Sequence, residues 1–93
     1  MIFLAIHTHL PEKCIIDNPE KVKKFRGVLS EKEAIKNGCI LINVYVSPTD
    51  HIAYIIFEAK EYNNMLNFLK PLIKLGVTKV KPVEEWKKVS TNI

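Results

Sequence analysis

Nowhere does the 93-residue chain hold the roughly 18 consecutive apolar residues that a membrane-crossing helix needs, so no membrane partner is expected. Its longest apolar opening, Met1 to Ile6, stops at His7 with no basic stretch before it and no small-residue cleavage site after it, which reads as a strand rather than a secretion signal. Cysteine is scarce too. Cys14 and Cys39 are the only two, too few for a disulfide framework in a chain with enough apolar residues to fold unaided. Both are expected as reduced thiols in a soluble, cytoplasmic protein. The length is too short for two cores and predicts a single domain over 1–93, with a core over 1–83 and a C-terminal tail over 84–93. With 47% apolar and 26% charged residues, disorder is excluded as the general state.

The net charge of +4 includes Lys21, Lys23, Lys24 and Arg26 in one segment, which could attract an anionic partner. Glu20, Glu31 and Glu33 interleave with them on what reads as the wet side of a helix, and the Gly-and-aromatic segment of RNA-recognition modules is missing. Nucleic acid is therefore not the expected partner.

The chain divides cleanly by periodicity. Residues 2–9 are apolar on both alternating faces before turning polar, as in a central strand. Asp17-Asn18-Pro19-Glu20 places a capping side chain before a proline at the first helical position. Val22, Phe25, Val28 and Leu29 then follow at helical spacing, and Ser30-Glu31-Lys32-Glu33 predicts a second helical piece ending at Asn37-Gly38. Cys39–Ser47 is a second two-sided strand, with Ile40, Ile42, Val44 and Val46 expected on one face and Leu41 and Tyr45 on the other. Ser47-Pro48-Thr49-Asp50 turns the chain into a third strand from His51 to Ala59. Tyr62, Met65, Leu66, Leu69, Leu72 and Ile73 form a helical stripe, kinked near its end by Pro71 and closed by Gly76. Val77 to Val83 is a last strand guarded by Lys79, Lys81 and Pro82, and Trp86 is the residue that would dock the tail.

Strand, helix, strand, strand, helix, strand predicts an α+β, ferredoxin-like βαββαβ fold: a four-stranded antiparallel sheet with both helices on one face. The other face would then be bare. Because the first three strands are apolar on both sides, a second copy is expected to cover it, giving a homodimer or a higher homo-oligomer with stacked sheets.

The chemistry-bearing residues gather at one end of this sheet. His7 and His9 finish strand one, His51 opens strand three beside it, and Cys14 follows in the next loop. Two imidazoles and a thiolate suit Zn or Cu, so His9, Cys14 and His51 form a candidate metal or small-ligand site with His7 as an auxiliary. Strand-end histidines that merely face water are the plain alternative. Acid-base or nucleophilic work by His9, His51 and Cys14 is a further one. Tyr45, Tyr54 and Glu58 are expected in or near the space between stacked sheets, where a small molecule could bind. Cys39, inside a strand, is expected to be core.

Thr8-His9-x-Pro11-Glu12-x-Cys14, Ser30-Glu31-Lys32-Glu33-Ala34, Val44-Tyr45-Val46-Ser47-Pro48 with His51, and Phe68-Leu69-x-Pro71-Leu72 leading to Gly76 together give a resemblance spanning nearly all of the chain. On these segments it resembles the dimeric α/β-barrel superfamily, and within it a small stand-alone family of uncharacterised archaeal and bacterial proteins. That superfamily holds monooxygenases, isomerases, haem-degrading enzymes and ligand sensors, so the resemblance implies a fold and a dimer and leaves the chemistry open. Copper chaperones share the topology, but their Cys-x-x-Cys is absent here and Cys14 stands alone. The expectation is an oligomeric binding or sensing protein, with a small enzyme of the cofactor-free oxygenase or isomerase type as the alternative.

Overall fold

The computed structural model describes residues 1–89; the rest of the expected 84–93 tail lies outside the described residues. Strand β1 (Ile2–Thr8) is followed by a 3-10 turn at Pro11–Lys13, helices α1 (Pro19–Val28) and α2 (Glu31–Lys36), strands β2 (Cys39–Ser47) and β3 (Ile52–Ala59), helix α3 (Tyr62–Ile73) and strand β4 (Val77–Val83). The four strands form one antiparallel sheet in the order β2-β3-β1-β4, the arrangement expected of a ferredoxin-like βαββαβ chain.

The caps behave as their residue types require. Asn18 accepts a hydrogen bond from the Lys21 amide at 3.1 Å and Pro19 follows at the first helical position, where a missing N–H costs nothing. The Ser30 hydroxyl accepts from the Glu33 amide at 3.1 Å, so the chain starts afresh there and makes two short helices in tandem. Gly38, at φ 76, ends the second of them in the left-handed region that glycine enters without strain.

One sheet face carries the core. Ala5 and His7 of β1 and Ala53, Ile55, Phe57 and Ala59 of β3 are buried there against Leu29, Ala34, Met65, Phe68, Leu69 and Leu72 from the helical layer. Phe57 anchors it, with the rings of Phe3 and Phe68 at 5.7 and 5.4 Å. Burying each such side chain contributes about 1.5–3 kcal/mol, so the fold rests on this layer. Cys39, as expected, is part of it.

Strand β2 departs from the simple alternation. A bulge lies between Leu41 and Asn43, where Leu41 pairs with Phe57 while Asn43 already pairs with Ile56. The extra residue, Ile42, resets the phase. Leu41 therefore shares the core face with Val44 and Val46, whereas Ile40 and Tyr45 lie on the opposite one, correcting the regular two-faced strand expected from the sequence.

That opposite face is apolar and, among the described residues, uncovered. Ile2, Leu4 and Ile6 of β1 and Ile52, Tyr54 and Ile56 of β3 are only partly buried, and Ile40, Tyr45, Val77 and Val83 around them are exposed. The described part of the tail, residues 84–89, does not cover it either: all of it is exposed, and Trp86, at 95% exposed, does not dock there, contrary to expectation. Residues 84–89 have no regular secondary structure. Among the described residues no helix is long and apolar enough to cross a membrane.

Candidate metal centre

Three separate segments meet at one end of the sheet. In the β1–β3 register Thr8 pairs with Ile52, so the next residues outward are His9 and His51, and the ladder reaches them through a 3.4 Å bond from the His9 amide to the His51 carbonyl. The hairpin between β2 and β3 supplies His51. Its turn is held by the Asp50 amide on the Ser47 carbonyl at 3.2 Å and by the Ser47 hydroxyl on the Asp50 carboxylate, also at 3.2 Å. His51 leaves this turn at φ 56, the one non-glycine residue with positive φ among those described. Histidine is among the side chains that tolerate this conformation, which in most L residues is costly.

Cys14 arrives from the other side. The 3-10 turn reverses the chain after Leu10, closing with the Cys14 amide on the Pro11 carbonyl at 3.1 Å, and leaves a partly buried, unpaired thiol. His9, Cys14 and His51 thus offer three ligand atoms that all lie within 4.8 Å of one another.

The distances suit a first-row metal. His51 Nδ1 and His9 Nε2 are 3.3 Å apart, with ring centroids at 5.1 Å and planes at 77°. Two imidazole nitrogens on one zinc ion at about 2.0–2.1 Å lie about 3.3–3.4 Å apart at the tetrahedral angle, so this pair already has the spacing of a coordination edge. Without an ion the same spacing is a hydrogen bond, one ring donating and the other accepting. A thiolate about 2.3 Å from that ion would lie about 3.6 Å from each nitrogen, so a shift of roughly 1 Å by a loop side chain completes three ligands. Burial holds the His9 pKa below its ordinary value, and the neighbouring His51 adds to the effect, which favours the neutral imidazole that a metal requires.

His7 stands apart from this group. It is 2% exposed, faces the helical layer with its ring 6.1 Å from that of Phe25, and its Nδ1 is 2.9 Å from the Thr78 hydroxyl on β4. Its ring centroid lies 6.4 Å from that of His9, on the same side but outside the ligand cluster. Burial, with the charge of His9 as the smaller cause, lowers its pKa and so favours the neutral ring. The close approach of Gly76 makes this packing possible. A β-carbon there would overlap the Thr8 carbonyl oxygen and sit 3.2 Å from the His7 ring.

Tyr45, Tyr54 and Glu58 do not join the cluster. Tyr45 and Tyr54 oppose each other across β2 and β3 on the uncovered face. Glu58 pairs with Ile2 at the far end of the sheet, beside a small hollow of about 80 Å³. Sequence reasoning missed a larger cleft of about 310 Å³ between α3 and β4, walled by Phe3, Met65, Leu66, Ile73, Val80 and Pro82. No feature of the sequence singles it out, since Tyr62, Leu66 and Ile73 belong to the same helical stripe as the buried Met65, Leu69 and Leu72. No protein-family model matches the chain, and none of the curated proteins is significantly similar to it, so the site is read from its own geometry.

Proposed function

We propose that this protein is a cytoplasmic, homo-oligomeric metal-binding protein that holds zinc or copper through His9, Cys14 and His51, leaving one coordination position open. The observation that carries this reading is the convergence, within 4.8 Å, of one thiol and two imidazoles from three distinct segments. Borderline and soft ions prefer these donors, and an exchangeable fourth position suits binding, buffering or sensing of the ion or of a small ligand attached to it.

The oligomer is inferred from the second sheet face. Ile2, Leu4, Ile6, Tyr54 and Ile56 form a contiguous apolar surface of a kind that single chains rarely leave wet. Stacking two such faces gives the assembly of the dimeric α/β-barrel superfamily, which the strand order is compatible with. Tyr45, Tyr54 and Glu58 would then line the space between the sheets as contacts for a small molecule. His7, fixed by Thr78 behind His9, serves as a neighbour to the site and not as a ligand.

Metal content measured by mass spectrometry on untagged protein, beside a His9→Ala, Cys14→Ser double variant, tests the site. Stoichiometric zinc or copper lost in the variant is the expected result. Protein that is isolated free of metal and gains no thermal stability from added Zn²⁺ or Cu²⁺ would overturn it.

A further inference from the structure

A matching knob and hole occur on this chain and do not meet. The hole is the cleft between α3 and β4, about 310 Å³, large enough for one indole and walled mainly by apolar side chains, with Tyr62 and Thr78 also in its lining. The knob is Trp86, 95% exposed, with Val89 beyond it at 74%. Tryptophan carries a large apolar area and is enriched where two proteins join, and so complete an exposure is unusual in a finished surface.

We propose that Trp86 of one copy seats in the α3–β4 cleft of a second copy, with the two tails exchanged reciprocally. Both signs of charge occur on both parts and can pair: Glu84 and Glu85 precede Trp86 and Lys87 and Lys88 follow it, while Lys70 and Lys74 are exposed toward the C-terminal end of α3, Lys70 one helical turn from both Leu66 and Ile73 of the cleft wall, and Glu61 is exposed at its N-terminal cap. The chain path favours a second copy over the chain's own cleft. Pro82 is part of the cleft wall and Val83 ends β4, so self-insertion needs a reversal within Val83-Glu84-Glu85, none of which is a turn-forming residue. Reciprocal exchange is an isologous contact and closes at two chains instead of propagating. It uses the α3–β4 cleft and not the open sheet face.

Trp86 is the only tryptophan, so its fluorescence reports this contact alone. Emission of the full-length protein should move to shorter wavelength as concentration rises, in step with the apparent mass. A Leu66→Lys variant, whose cleft is blocked, should keep the emission of a hydrated indole on its own. Adding the tryptophan-free Trp86→Ala variant, whose cleft is intact, should restore the blue shift. Val80→Lys blocks the same cleft from its strand wall and serves in place of Leu66→Lys if the latter loses its folded circular dichroism spectrum. Hydrated emission at every concentration overturns the proposal, as does a blue shift in protein whose apparent mass is that of one chain, which would place Trp86 in its own chain. Mixing without spectral change overturns it as well.

Discussion

Replacing His51 by glycine and, separately, by alanine divides two roles that this residue combines. Its backbone sits at φ 56, where an alanine costs about 1–2 kcal/mol, whereas glycine pays only its extra unfolded-state entropy of about 0.4–1 kcal/mol. In the presence of a chelator, His51→Gly should therefore be more stable than His51→Ala by roughly 0.5–1 kcal/mol. For a chain of this size that is a difference of about 2–8 °C in Tm, readable by circular dichroism melting. Added Zn²⁺ at about 100 times its Kd should then stabilise the wild type by about 2.7 kcal/mol and shift neither variant to the same extent, because both lack the imidazole that stands 3.3 Å from His9. Equal chelated stabilities for the two variants would refute the backbone argument. A zinc-induced rise in His51→Gly as large as that of the wild type would refute the role of the imidazole.

Thr78→Val removes the hydroxyl partner of the buried His7 ring and should cost about 1–3 kcal/mol in urea unfolding, while leaving zinc binding at His9 intact; loss of binding would make His7 and Thr78 part of the site. Phe57→Ala opens the centre of the core and should cost about 3–5 kcal/mol, measured by the same unfolding curve, and a smaller loss would mean that the aromatic cluster can collapse around the gap. Ile56→Glu puts a charge on the uncovered sheet face and should delay elution in size exclusion without changing the circular dichroism spectrum. A folded variant that elutes as the wild type would remove the sheet face as the oligomer contact.

The element order was legible because each boundary carries a residue with a local reason to be there. Asn18 before Pro19, Ser30 three residues before Glu33, and Gly38 at positive φ each satisfy or release the backbone without help from distant parts of the chain. The convergence of His9 and His51 was legible for a related reason, since antiparallel pairing of β1 with β3 forces the end of one beside the start of the other. Pairing across the sheet is a global property, and there sequence reasoning fell short. The bulge at Ile42 is set by how β2 fits against β3, and its isoleucine looks like every other apolar residue of the strand. His7 and His9 have the same spacing from either side of Thr8, yet one is sealed beneath Phe25 and the other is free to reach a metal, because His7 is still within the sheet and His9 has left it. Trp86 carries no signal at all of whether its partner lies in the same chain.

The middle position of β1 has a kinetic side. Ile2–Thr8 is the first strand of the chain, yet it lies between β3 and β4, and even the backbone of Met1 is bonded in both directions to Ala59. The hairpin of β2 and β3 can form from neighbouring residues, whereas β1 must wait for it, and its other edge stays open until Val77–Val83 arrives from the opposite end of the sequence. During synthesis β1 is thus made before either of the strands that must flank it, and it is closed on both sides only when β4 arrives. A chain that loses β4 should expose a strand edge rich in isoleucine and leucine, and its characteristic failure would be aggregation through that edge before any loss of the helices.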